Sequence, residues 1–348
     1  MQIDFHHTVT YIAARLAEFP HKDAAIIAYA AQYVDDATTQ GIVFFDNKAL
    51  YERISSAHKS VDLKNLYAPE NQKVWMPFHF LPGNGSPDIG YVSKSTFIHK
   101  LICLPDSQVA KDMVKAAILD QDKPYALHRL GITMHVYADT WAHQGFAGVM
   151  HNVNKVNDIS ETGDSNVFKD VLVNIISKST PELGHGQANV FPDMPFLSWE
   201  YVNGQGKKIV RNNTDIFCEA ADCLCKTMKR YRLNNPDAAV TGIGESDMTQ
   251  IRKLFTDLKD KSGEYRHKEW TKKIKQGVFS FGSATISYAE DGKGSWKADA
   301  LGSSRDLFEH EYKESFLTSD WKLFHDALQL HRITVAHDIL PKYGICAA

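Results

Sequence analysis

Residues 127–148 read LHRLGITMHVYADTWAHQGFAG. The pattern predicts one helix from Tyr125 to about Phe146, with Ile132, Val136 and Phe146 as core contacts. Each residue of an α-helix turns by roughly 100° and rises about 1.5 Å. Taking His135 as zero, Asp139 falls near +40° and His143 near +80°, with His128 near +20°, so the four side chains share roughly a quarter-turn of one face. Ligands one turn apart can share a metal ion, but His135 and His143 are roughly 12 Å apart along the axis, too far for a single ion with bonds of about 2 Å. If all three bind metal, more than one ion is needed, and Asp139 lies between as a natural bridge. His128, about 10 Å below His135, is expected outside the cluster.

Working outward, the first 40 residues predict two helices separated at Pro20, the second being the small-residue run KDAAIIAYAAQYVDDA. Residues 41–100 are mixed and turn-rich, and WMPFHFLPGNGSP reads as irregular. Further helices are expected at about 107–120, 213–232 and 247–259, and over SDWKLFHDALQLHRITVAHDIL near the end. Between them lie polar stretches after Gly148, the Gly- and Pro-dense loop ELGHGQANVFPDMP, and a Gly/Ser-rich segment at 277–305 with one short candidate strand, ATISY. No internal repeat or long linker appears. The expectation is an all-α fold in one domain spanning 1–348, with the motifs in 1–220 and a C-terminal helical elaboration over 221–348.

The chain has 348 residues, enough for a sizeable core, with 43% hydrophobic and 23% charged residues, an ordinary globular balance. A net charge of −3 gives no case for an obligatory nucleic-acid duplex or anionic membrane partner. There is no transmembrane stretch, and MQIDFHHTVTYIAARLAEF lacks the basic start and apolar run of a signal peptide, so a cytoplasmic location is expected. Five cysteines, an odd number, do not suggest a disulfide framework; Cys218, Cys223 and Cys225 read as buried thiols on a helix. Sixteen histidines are the unusual count, and their placement matters more than the number.

Four further segments supply hard or borderline ligands. Asp4, His6 and His7 open the first helix; Asp35 and Asp36 end the second; His79 is boxed in by aromatics and prolines in PFHFLP. His185 and Asp193 sit in the Gly/Pro loop, whose backbone can bend to deliver ligands. A lone histidine near aromatics is more often a satisfied core residue. The joint occurrence of these residues favours a metal cluster. Trp75, Phe78 and Trp141 are candidates either for lining its pocket or for plain packing.

At these residues the chain resembles the superfamily of zinc-dependent bacterial phospholipases C and single-strand-specific zinc nucleases, all-α proteins with a helical H-x-x-x-D motif followed by a further histidine. The order His6, Asp35, His79, His135, Asp139, His143, His185 is similar to theirs in full. Over residues 1–220 the chain also resembles an uncharacterised group of bacterial proteins sharing DFH, AAQYVDDA, PFHFLP, HxxxDTWAHQGF and LGHGQA…PD. The first resemblance implies that Asp35, His79, His135 and Asp139 hold one zinc, His143 and His185 a second, and His6 a third shared with Asp139. Two departures stand out. Those phospholipases use the amine and carbonyl of a mature N-terminal Trp, whereas this chain starts MQID, so Asp4 could substitute or the third site be absent. They also carry a carboxylate four residues after the late histidine, where this chain has Asn189; Asp193 is the candidate replacement, and Asp36 remains open in place of Asp35.

A nitrogen and oxygen ligand set without thiolate favours zinc, with manganese or iron as alternatives. Two or three such ions would activate water to hydroxide and clamp a phosphoryl centre. The expected function is a metal-dependent hydrolase of a small-molecule, lipid or nucleotide phosphoester, with Asp35 and Asp139 as the catalytic carboxylates. The rivals are hydrolysis of a non-phosphate substrate by the same activated water and a non-catalytic cluster that staples loops.

Overall fold

A computed structural model describes residues 1–57, 68–85, 97–162 and 183–346. Part of the polar stretch after Gly148, and Ser86 and Pro87 of the irregular segment, lie outside the described residues. At the centre lies α6 (Ala126–Ala142), in which every residue except Leu127 is buried. Such a helix needs neighbours all round it. α2 (His21–Asp36) crosses it at Gly131, where a β-carbon would stand 2.4 Å from the Ile27 carbonyl oxygen. Only glycine permits that approach, which brings the C-terminal end of α2 beside the ligand-bearing face of α6.

A π-helical turn, Asp4–Val9, leads into α1 (Thr10–Leu16), and both are almost wholly buried. α3 (Ala68–Phe78) ends at the PFHFLP motif, followed by α4 (Phe97–Leu101) and α5 (Gln108–Leu119), which is capped by Ser107. α7 (Asn213–Arg232) begins at the Asn212 cap and lays Phe217, Cys218, Leu224, Cys225 and Met228 into the main core. The three clustered cysteines therefore lie on a helix without disulfides. α8 (Glu245–Asp257), α9 (Gly263–Lys275), α10 (Trp296–Leu301) and α11 (Asp320–Ile333) complete the helices. The C-terminal part packs back on the N-terminal helices: the Trp321 indole donates to Tyr33 Oη at 3.2 Å, and Arg266 grips Asp4 at 2.6 Å.

The fold is mixed rather than all-α. β1 (Gly41–Phe44) pairs antiparallel with β2 (Leu50–Arg53), and β3 (Val156–Glu161), β4 (Ser198–Asn203) and β5 (Lys208–Asn212) form an antiparallel sheet in that order. β4 alternates strictly, with Trp199, Tyr201 and Asn203 inward and their neighbours half-exposed, the period-2 pattern of a strand with one face covered. Gly206, at φ 77°, lies in the turn that returns the chain as β5. Two further expectations are corrected. Trp75 to Phe78 form the last turn of a helix that tolerates Pro77, and ATISY (284–288) is not a strand, because Tyr288 turns inward to donate to Asp36. Among the described residues, no helix is long and apolar enough to cross a membrane.

Candidate metal centre

Each imidazole around Asp139 is fixed by its own backbone contact. His135 Nδ1 donates to the Ala31 carbonyl at 2.8 Å, and His79 Nε2 to the Ser56 carbonyl at 2.9 Å. His143 Nδ1 donates to the His79 carbonyl at 2.7 Å, and His185 Nδ1 to the Asn189 carbonyl at 2.9 Å. A carbonyl only accepts, so each of these nitrogens carries the ring proton and the other nitrogen is left as a lone pair. Outer carbonyls orient the rings of metal-binding histidines in this manner.

The free nitrogens converge. His135 Nε2 lies 3.3 Å from His79 Nδ1 and 3.3 Å from Asp139 Oδ2, and His79 Nδ1 is 3.4 Å from the same oxygen. Asp35 Oδ1 stands 3.8 Å from both nitrogens. Three acceptors in mutual contact with no proton among them repel one another unless a cation lies between them. Tetrahedral bonds of about 2.0–2.1 Å place ligand atoms about 3.3–3.4 Å apart, so the donor set fits a metal ion. A second group brings His143 Nε2 to 4.0 Å and His185 Nε2 to 3.8 Å from the two oxygens of Asp193. His6 is fully buried and stacks on His135 with ring centroids 3.8 Å apart. Its Nε2 is 3.2 Å from Asp139 Oδ1 without hydrogen-bond alignment, so both ring nitrogens are orphaned.

All eight residues expected from the sequence therefore surround one centre: His6, Asp35, His79, His135, Asp139, His143, His185 and Asp193. Asp36 does not, since it accepts from Gln32 Nε2 at 3.0 Å and from Tyr288. Asp4 is paired with Arg266 and His7 with His267 Nε2 at 2.9 Å, so neither reaches the cluster, and His128 meets Asp320 at 2.9 Å outside it. The place considered for Asp4 is taken by the Met1 nitrogen, 2.9 Å from Asp139 Oδ1 and 3.2 Å from Asp193 Oδ1. Sequence reasoning also missed Arg211, whose Nη2 donates at 3.0 Å to the Trp141 and Ala142 carbonyls and so closes the end of α6 beside His143.

Electrostatics follow the same geometry. Burial pushes the imidazole of His135 below the usual histidine range, that of His6 well below it, and that of His143 to about 3. Burial opposes ionisation of Asp139, but His143, the Met1 amine, His135 and His6 outweigh it and hold the carboxyl well below the usual range. Asp35 moves the other way, driven well up by burial and then by the charges of Asp139 and Asp36. The centre opens onto a cavity of about 410 Å³ whose wall includes Ala57, Trp75, Phe80 and Leu183. Phe78 and Trp141 are core residues instead, packed on His331 and Tyr137.

A family model, described as a family of unknown function (DUF6765), matches residues 1–339. The chain belongs to that family. No curated protein and no solved structure matches it. The DUF6765 match covers every ligand candidate from His6 to Asp193 and also the C-terminal helices that brace them, so the centre and its supports lie within one family unit.

Proposed function

We propose that this protein is a metal-dependent hydrolase, binding two or three zinc ions (or manganese or iron in their place) and cleaving a small-molecule, lipid or nucleotide phosphoester. The observation that carries the reading is the contact of three proton-free acceptors, His79 Nδ1, His135 Nε2 and Asp139 Oδ2, each held there from behind or by the helix. His79, His135, Asp139 and Asp35 would hold one ion, His143, His185 and Asp193 a second, and His6 with Asp139 Oδ1 a third. Such ions acidify bound water and neutralise charge on a phosphoryl group.

The remaining roles fall to the chain. Asp139 presents its two oxygens to different neighbours and would tie the subsites together. Asp35 is the cluster's most open carboxylate, its side chain 32% exposed, and it lines the cavity, where a general base would stand. Trp75, Phe80 and Leu183 offer an apolar wall to the leaving group. Catalysis is favoured over a structural staple because the centre adjoins an open cavity, whereas structural sites are closed.

The test is a panel of aryl phosphomonoesters, phosphodiesters and carboxylic esters offered to zinc-, manganese- and iron-loaded protein. Chelator-sensitive turnover of a phosphoester is expected. A metal-replete protein that cleaves only the carboxylic ester, or nothing, would overturn the assignment.

A further inference from the structure

We propose that Arg266, on α9, is the positioning residue of the His6 subsite: by holding Gln2 and Asp4 it sets where His6 meets Asp139 Oδ1, and so governs how many ions the centre holds. The proposal rests on the metal-binding part of the reading above and not on the hydrolysis. Arg266 and Asp4 are both fully buried. The guanidinium donates from Nε to Asp4 Oδ2 at 2.6 Å and from Nη2 to Asp4 Oδ1 at 3.1 Å, a two-pronged contact that fixes the carboxylate in orientation as well as place. Nη2 also donates to Gln2 Oε1 at 2.7 Å, and Nη1 to the Asp260 carbonyl at 2.5 Å and to Met194 Sδ at 3.6 Å. All five N–H groups are therefore spent. Gly263, which opens α9, admits the N-terminal arm: a β-carbon there would stand 2.7 Å from Gln2 Oε1. One side chain thus ties that arm, and the residue after Asp193, to the loop before α9.

His6 depends on this tie more than the other ligands do. The rings of His79, His135, His143 and His185 each donate to a backbone carbonyl, whereas both nitrogens of His6 are without a hydrogen-bond partner. Its placement comes from stacking on His135 and from its own backbone. That backbone is the π-helical turn Asp4–Val9, a rare form that is frequent at functional sites. Residues two apart on a helical turn point to nearly opposite sides, roughly 200° apart at the α-helical step, so Asp4 faces α9 while His6 faces α6. The Met1 nitrogen, which meets the same Asp139 oxygen at 2.9 Å, directly precedes Gln2 and is steadied by the same guanidinium. Lysine in place of Arg266 keeps the charge but has no planar fork, so it cannot hold both Asp4 oxygens and Gln2 together. Phe5, packed against Phe217 and Phe255, still keeps the arm in the core, and what is lost is alignment.

Zinc is counted by elemental analysis after reconstitution and desalting of full-length wild type, R266K, H6A and H6A/R266K, and its affinity is read by competition with a chromophoric chelator. H6A should hold one equivalent fewer than wild type. R266K should lose the same equivalent or bind it at least tenfold more weakly, with the rest unchanged. H6A/R266K should match H6A, because a positioning residue has nothing left to position once its ligand is gone. A purely structural residue would cost further metal in both backgrounds. If R266K does not fold, D4N/R266Q, which buries no unpaired charge, takes its place in the same comparison. Wild-type zinc content and affinity in the substituted protein overturn the proposal, as does further loss in the H6A background or an H6A protein that keeps the wild-type number. A wild type without zinc overturns the metal centre with it, whereas full zinc without phosphoester turnover overturns the hydrolase alone.

Discussion

Asp139 is a fully buried carboxylate whose two oxygens face different partners: Oδ1 meets His6 and the Met1 nitrogen, and Oδ2 meets His79 and His135. Asp139→Asn keeps the shape but removes the negative charge and replaces one oxygen with a donor NH₂, which cannot ligate a metal ion. The variant is expected to lose at least one equivalent of bound metal, and any phosphoester turnover should fall by orders of magnitude. Unfolding stability should fall less, because Ile132, Val136 and Phe146 remain fully packed. Wild-type metal content in the variant would remove Asp139 from the centre. At this scale the helix period makes His135, Asp139 and His143 legible as one face. The choice between Asp35 and Asp36 was not legible, because both end the same helix and only the positions of Gln32 and Tyr288 separate them. Asp4 and His7 were equally opaque, since Arg266 and His267 lie some 260 residues away in sequence. The Met1 nitrogen belongs to the backbone, and side-chain patterns say nothing about it.

The site depends on α2 and α6 touching at Gly131. Gly131→Ala gains roughly 1 kcal/mol of helix propensity. It also drives a methyl to 2.4 Å from the Ile27 carbonyl and 2.7 Å from Ala30 Cβ, and overpacking of this kind costs about 1–3 kcal/mol or more. Backbone cannot rotate away as a side chain can, so the clash should win. The expected result is a lower urea midpoint together with reduced metal content, as Asp35 is pushed away from His135. A midpoint at or above wild type would show that the helices separate at little cost. The long amphipathic helices were legible because their apolar residues recur with the helical period; Asn213–Arg232 falls where the pattern put it. α9 was not, since GEYRHKEWTKKIK buries only Arg266, Trp270 and Ile274. The sheets were missed because their strands are only four to six residues long, and β3 in addition rests on β4 across a gap of more than 30 residues.

The whole molecule carries several buried neutral histidines, which fixes the sign of its acid response. Burial pushes His325 and His331, both outside the metal centre, down to about 3, while an unfolded chain binds the same protons near pH 6.5. Their contribution is fully present above about 6.5 and is lost as pH falls toward 3, at about 1.4 kcal/mol per pH unit for each. Asp35 works in the opposite sense with one proton, because its folded affinity is raised, but His143 alone offsets it. Urea midpoints measured with chelator present should therefore fall steadily between pH 7 and about 4.5; a flat profile would mean these rings open to water more readily than their burial implies. The same accounting makes the metal-free centre costly, since the lone pairs of His79 and His135 face Asp139 Oδ2 with no proton between them, while the Met1 amine meets only the other oxygen. Elemental analysis of the purified chain after zinc reconstitution and desalting tests that most directly. Two or three equivalents of zinc per chain are expected, and less than one would contradict the metal centre.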